Sequence, residues 1–246
     1  MKLIRLAVIG TMIVMFAIQI PSVYADDTTG DFFRSIFGSS GGKLSDSKII
    51  RGLKEALEIG TGNAVDIVAR LDGYYKNPDI KIPLPQAVQK VETVMIAMGY
   101  GPEMDAFSRS MNRAAERAAP EAKDLFWNAI KEITFEDART ILKGSDNEAT
   151  LYFEDKTRGR LHELFMPIIH TAMEGVGVTR KYQELHASLS KIPFADRLNL
   201  DLDEYVTDKA LDGLFYMVSE EERKIRKDPA ARVTKLLRDV FGSKEQ

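Results

Sequence analysis

Residues that begin or end α-helices recur at short intervals along the chain, and this punctuation constrains the fold more than any other feature. Pro102 stands where the first turn of a helix tolerates proline, and Gly99 ends the preceding apolar run. Thr134 and Asp137 form a weak capping box for a helix that ends at Gly144. Apolar residues spaced three and four apart fill the intervals. The sequence therefore predicts an all-α fold, a single compact domain of about nine or ten helices.

The segment 72–85 departs from this pattern. Prolines and turn-forming residues replace the helical spacing there, and Ile80 and Ile82 alternate with Lys81. This predicts a turn followed by one short extended segment, which cannot form a sheet alone.

Several helix boundaries are predicted from local signals. A long helix capped by Ser45 or Asp46 is expected to bend or break at Gly60 and Gly62, because glycine costs a helix about 1 kcal/mol relative to alanine.

The C-terminal half is predicted to hold several shorter helices. The polar run 154–160 separates two apolar stripes, and Pro167 is expected to kink the second helix by removing a backbone donor. Thr207 is predicted to cap a helix over 208–227. Further helices are predicted at 179–190 and 229–241.

The first 25 residues have the three parts of a secretory signal. Lys2 and Arg5 precede the uncharged run 6–20, and small residues precede a cleavage site between Ala25 and Asp26. An uncleaved membrane anchor is the alternative, but spanning takes about 20 apolar residues and this run is shorter. We therefore expect an exported protein, periplasmic or secreted. The chain has no cysteine, so disulfides and a lipid-modified cysteine are excluded.

The charge of the chain argues against nucleic acid as a partner. The formal net charge is −3, and removing Lys2 and Arg5 with the signal makes the mature chain more acidic. Phosphate binding requires a concentrated positive surface. No second apolar run approaches spanning length, so we expect no transmembrane segment in the mature chain.

Six stretches, in order along the chain, resemble the bacterial domain-of-unknown-function family 4197. They lie at 52–57, 80–85, 111–116, 149–153, 205–215 and 220–226. The resemblance runs from about residue 44 to residue 242 and implies an exported, helical protein without an assigned activity. It supplies no catalytic residue. Together with the signal pattern, it predicts a division of the chain into a signal peptide (1–25), an N-terminal arm with its linker (26–43), the all-α domain (44–242) and a tail (243–246).

Motifs for phosphate and nucleotide binding are incomplete. The glycine-rich stretch 38–44 resembles a phosphate loop, but Leu44 stands where magnesium would need Ser or Thr. Gly60 and Gly62 lack the third glycine and the preceding strand of a dinucleotide site. We predict no cofactor.

Metal motifs are incomplete as well. The acidic run 199–205 begins like a calcium loop, but Glu204 and Ala210 replace its required glycine and glutamate, so we expect a solvated loop. His162 has Met166 where a zinc helix needs a second histidine. A structural or surface role is therefore favoured over metal ligation for His162, and no metal site is predicted. The other histidines are His170 and His186.

Glu222 is the most informative polar residue because its spacing places it in an apolar stripe. It lies four residues after Val218 and three before Ile225, so its carboxylate is predicted on the buried face. A buried carboxylate requires a partner, and the candidates are Arg226 at i+4 and, from another helix, Asn112 and Arg113. One interpretation is a structural ion pair. The other is a polar pocket for a ligand, with these four residues as candidate binding residues.

The arm after the cleavage site carries four large apolar residues on one helical face: Phe32, Phe33, Ile36 and Phe37. It either docks on the body and completes the core or acts as a hydrophobic hook for a membrane or a partner groove.

These observations favour a non-enzymatic binding module for an apolar ligand, a lipid or a protein partner in the cell envelope. A carboxylate-dependent or metal-assisted hydrolase-like enzyme is one alternative, and it requires further polar groups that converge on Glu222. A structural envelope component that acts through oligomerisation is the other.

Overall fold

A computed structural model describes residues 46–174 and 201–228 together with Arg232, Thr234 and Lys235. The predicted signal peptide with its cleavage site at Ala25 and Asp26 lies outside these residues. The predicted arm 26–43, the predicted helix 179–190 and the tail 243–246 lie outside them too.

The described residues form seven α-helices and no strand, which confirms the all-α prediction. Fewer helices occur than predicted, partly because one predicted pair is a single helix and partly because other predicted helices lie outside the described residues. The helices are α1 (Asp46–Val68), α2 (Gln86–Ala97), α3 (Gly101–Ala118), α4 (Ala122–Glu132), α5 (Phe135–Lys143), α6 (Glu148–Glu174) and α7 (Leu202–Lys227). A short 3-10 turn, Ala119–Glu121, joins α3 to α4.

Helix α7 packs against α1, α3 and α6. Its apolar stripe is buried along nearly its whole length. Phe126 of α4 joins this core, with its ring centroid 5.7 Å from that of Phe153 on α6 and 5.9 Å from that of Phe215 on α7. Aromatic pairs at these distances and tilts add to the stability that burial provides.

The predicted break in the first helix is wrong, since α1 continues through Gly60 and Gly62. Gly60 faces α7, where a Cβ atom would lie 3.4 Å from Ile225 Cδ1. Packing against α7 therefore stabilises the helix across a residue of low helix propensity.

Two boundaries in the C-terminal half also differ from prediction. The polar run 154–160 does not separate two helices, because α6 continues through it. Helix α7 begins at Leu202, where the Asp201 side chain accepts a 3.0 Å bond from Glu204 N–H. The described part of the acidic run, 201–205, is therefore a helix N-terminus and not a loop. Thr207 lies fully buried inside α7 and caps nothing.

Other local predictions are confirmed. Thr134 and Asp137 form a reciprocal capping box at the start of α5, and Gly144 follows its last residue. Pro102 lies in the first turn of α3. These boundaries depend on neighbouring residues alone, which is why the sequence predicts them.

The connection between α1 and α2 is a turn followed by an extended segment, as the alternation predicts. Ile80, Ile82 and Leu84 are buried, whereas Lys81 and Pro83 are exposed. The segment pairs with no other strand within the described residues.

No helix among the described residues combines the length and the apolar character that crossing a membrane requires.

Gly213 allows α7 to pack closely against this connection. A Cβ atom at Gly213 would lie 2.7 Å from Tyr74 Cε1 and 3.1 Å from Ile80 Cβ, and Tyr74 is fully buried. We therefore expect Gly213→Ala to lower the free energy of unfolding by about 1–3 kcal/mol, as overpacked cores do. Gly62→Ala is the matched control, because nothing lies within 4 Å of its Cβ position and it should raise stability by about 0.5–1 kcal/mol. Urea unfolding measures both, and equal effects would contradict this account.

Candidate functional site

Glu222 lies on the buried face of α7 and binds the first turn of α6. One carboxylate oxygen accepts a bond from Ala149 N–H at 3.0 Å. The other accepts bonds from Thr150 N–H at 2.9 Å and from the Thr150 hydroxyl at 2.8 Å. The first N–H groups of a helix have no partner within it and carry partial positive charge. The carboxylate therefore caps α6 from a residue more than seventy positions away.

Arg226 completes this arrangement from one turn further along α7. Its Nε and Nη2 donate to Glu222 at 3.0 and 2.7 Å, and Nη2 also donates to the Ile141 carbonyl at 2.9 Å. That carbonyl belongs to the last turn of α5, where carbonyl groups lack helical partners. The pair thus provides hydrogen-bond partners for the C-terminal end of α5 and the N-terminal end of α6. The positive Arg226 lies at the C-terminal end and the negative Glu222 at the N-terminal end, which is the favourable arrangement for the helix dipoles.

The geometry leaves the Glu222 carboxylate little capacity for a ligand. Its two oxygens accept five hydrogen bonds, and its side chain is only 6% exposed. The cavity beside it has a volume of about 20 Å³ and apolar walls that include Leu53, Val218 and Ile225. That volume holds about one water molecule. The structural ion pair is the interpretation that this geometry favours.

The structure gives Asn112 a different partner from the predicted one. Asn112 Oδ1 accepts a bond from Ile82 N–H at 2.8 Å, and Nδ2 donates to the Ile82 and Ser108 carbonyls at 3.0 and 2.8 Å. The amide therefore replaces the neighbouring strand that the extended segment lacks.

Arg113 likewise binds the turn after α1 and not Glu222. Its guanidinium contacts Asp72 and Glu116, and Glu116 in turn accepts a 3.1 Å bond from Tyr74 N–H. Asp72 has a positive φ of 69°. Hydrogen bonds from Lys76 and Arg113 hold the pKa of Asp72 below its usual value, so the carboxylate stays charged and secures the turn.

A larger cavity lies where the extended segment meets α2 and α3. It is an open groove of about 510 Å³, within the range of small-molecule sites. We call it the α2–α3 groove; it is lined by Pro78, Lys81, Pro83, Leu84, Gln89, Glu92, Ile96, Gly101, Met104, Asp105 and Ser108.

Apolar side chains project beside the α2–α3 groove. Ile96 is 53% exposed, and Met98 and Tyr100 in the adjoining turn are 66% and 46% exposed. Gly99 between them has a positive φ of 93°, which favours glycine and reverses the chain. A run of exposed apolar residues is typical of a surface that contacts a ligand or a partner.

Charged groups line another part of the groove. Lys81 Nζ lies 4.5 Å from the centre of the Tyr75 ring, and the Tyr75 hydroxyl donates a 2.5 Å bond to Asp105. That bond and Arg109 keep the pKa of Asp105 below its usual value. The groove thus combines apolar side chains with fixed charges of both signs.

The sequence prediction of site residues did not include this groove. Its residues come from three elements, and only tertiary packing brings them together. A usable signal was present in the apolar run Met95–Tyr100, which continues past the end of α2 into a glycine-containing turn. The predicted apolar residues Phe32, Phe33, Ile36 and Phe37 lie outside the described residues.

Comparison with protein-family models identifies the family of this chain. The model of the family described as protein of unknown function (DUF4197) matches residues 43–242. The chain belongs to this family. Comparison with curated proteins and with solved structures gives no match. The DUF4197 match extends across all seven described helices, so it includes the Glu222–Arg226 pair and the α2–α3 groove.

Proposed function

We propose that the protein is a non-enzymatic binding module of the cell envelope and that the α2–α3 groove holds an amphiphilic, lipid-like ligand. The volume of about 510 Å³ is the observation that carries this proposal, because it is the size of a small-molecule site. The space beside Glu222 is too small for such a ligand.

The walls of the groove support an amphiphile over a purely apolar compound. Ile96, which is 53% exposed, offers apolar surface to a hydrocarbon chain, and the largely buried Leu84 and Met104 also line the groove. Lys81 and Ser108 offer donors to a polar headgroup. A ligand with both parts satisfies both kinds of side chain, whereas a hydrocarbon alone would leave the charges desolvated.

Export is part of the proposal and has its own test. A cleaved signal predicts that protein recovered from the host begins at Asp26. Intact-mass spectrometry of that protein would show this start, and a full-length mass in the envelope fraction would indicate an anchor.

Native mass spectrometry of protein isolated gently from the host tests the ligand. We expect an additional mass of lipid size that dissociates at high collision energy. Ile96→Asp should reduce the bound fraction severalfold, because it places a charge at the apolar wall. Leu151→Asp is the matched control, since Leu151 is 49% exposed and lies outside the groove. A mass without ligand under several extraction conditions, or an equal loss in both variants, would contradict the proposal.

A further inference from the structure

Three metal-ligating side chains converge on the face where α6 meets the first turns of α7. Donor atoms of His162, Glu204 and Asp208 all lie within 4.8 Å of one another. Glu204 and Asp208 are one helical turn apart, so both carboxylates project toward His162 from the same side of α7. The distance from His162 Nε2 to the nearer Glu204 oxygen is 3.2 Å.

His162 Nε2 lacks a hydrogen-bond partner among the described residues. The atom is buried, and it makes no hydrogen bond within the described part of the chain despite its closeness to Glu204. A buried polar atom without a partner costs about 1–3 kcal/mol, so each such atom requires an explanation. A cation between the imidazole and the carboxylates would supply the missing partner.

The charges around the cluster also favour a cation. Two carboxylates at i and i+4 repel each other when nothing lies between them. Arg158 gives Asp208 only a distant contact at 3.7 Å, because its close contacts are with Asp212 at 2.7 Å and Glu154 at 2.9 Å.

We propose that His162, Glu204 and Asp208 bind a divalent transition-metal ion of the zinc type. One imidazole and two carboxylates form a ligand set that Zn²⁺ accepts, at distances of about 2.0–2.2 Å. The side chains of Glu204 and Asp208 are each 50% exposed, so they are free to turn inward and close the site. The bound ion would link α6 to α7, and water would complete its coordination.

The same pair of helices provides a matched control. His170 also lies between two carboxylates, but its Nδ1 is 2.6 Å from Asp203 and its Nε2 is 3.4 Å from Glu174. The hydrogen bond with Asp203 raises the pKa of His170. Its Nδ1 is therefore already hydrogen-bonded and its side chain is 50% exposed, so the ring does not present a buried nitrogen without a partner, and we expect no metal there.

Titration calorimetry of the chelator-treated protein with Zn²⁺ tests the proposal, and Co²⁺ absorption reports the ligand set. We expect one equivalent to bind and the melting temperature to rise with added Zn²⁺. His162→Ala should weaken binding by at least about tenfold, whereas His170→Ala should leave it unchanged. Glu204→Gln, a change on an exposed side chain, should weaken binding by a similar factor and provides a second test if His162→Ala fails to fold. No binding up to about 1 mM Zn²⁺, or equal losses from the His162 and His170 substitutions, would overturn the proposal.

Discussion

Replacing Glu222 with alanine is expected to lower the free energy of unfolding by about 3–5 kcal/mol, because it leaves Arg226 buried without its counter-charge. Arg226 is only 14% exposed and would retain one carbonyl partner, Ile141. The N–H groups of Ala149 and Thr150 would lose their acceptor at the same time. Urea unfolding followed by far-UV circular dichroism measures this loss.

Glu220→Ala is the matched control for this substitution. Glu220 lies on the same helix and forms an ion pair with Arg223, but that pair is exposed to solvent. We expect a loss within about 1 kcal/mol, since surface ion pairs contribute little. A double-mutant cycle between Glu222 and Arg226 should give a coupling above about 1 kcal/mol. A coupling of only a few tenths of a kcal/mol would show that the pair does not secure the helix ends.

Asn112→Ala is expected to produce the second large effect, a loss of about 2–4 kcal/mol. The substitution removes two buried hydrogen bonds and a partly buried one, and it leaves both backbone groups of Ile82 without their side-chain partner. Because Ile82 and Leu84 anchor the segment that borders the α2–α3 groove, we also expect ligand binding to weaken.

Asn63→Ala controls for the change in helix propensity. Asn63 lies within α1 as Asn112 lies within α3, so both substitutions gain the same propensity. Asn63 is exposed and donates one bond, to Glu221 at 3.1 Å, so we expect its effect to stay within about 0.5 kcal/mol. Similar losses from both asparagines would contradict the bridging role of Asn112.

Sequence signals within one helical turn are sufficient to predict some of the helix ends seen in the structure. The capping box at Thr134 and the proline at residue 102 were predicted because the atoms that make these ends lie within one turn. The break predicted at Gly60 and the cap predicted at Thr207 are wrong because packing decides both positions. Gly60 lies against α7, and Thr207 is buried within α7, although each residue type suggests a helix boundary when read alone.

For the site residues, too, contacts within one helix were predictable and contacts between distant elements were not. The apolar spacing around Glu222 placed its carboxylate on the buried face and Arg226 within reach, because both lie on one helix. The sequence did not show that the pair serves the ends of α5 and α6, since those ends lie far away in the chain. Asn112 and Arg113 were assigned to the wrong partner for the same reason.

The sequence by itself determined the all-α class, the local helix caps and the membership of most of the chain in its family. These properties follow from residue spacing and from contacts within a few positions. Only the tertiary structure decided that Glu222 is a closed helix cap, that an open groove lies between α2, α3 and the extended segment, and that His162 meets two carboxylates. Each of these joins residues from separate elements, and their meeting depends on how whole helices pack.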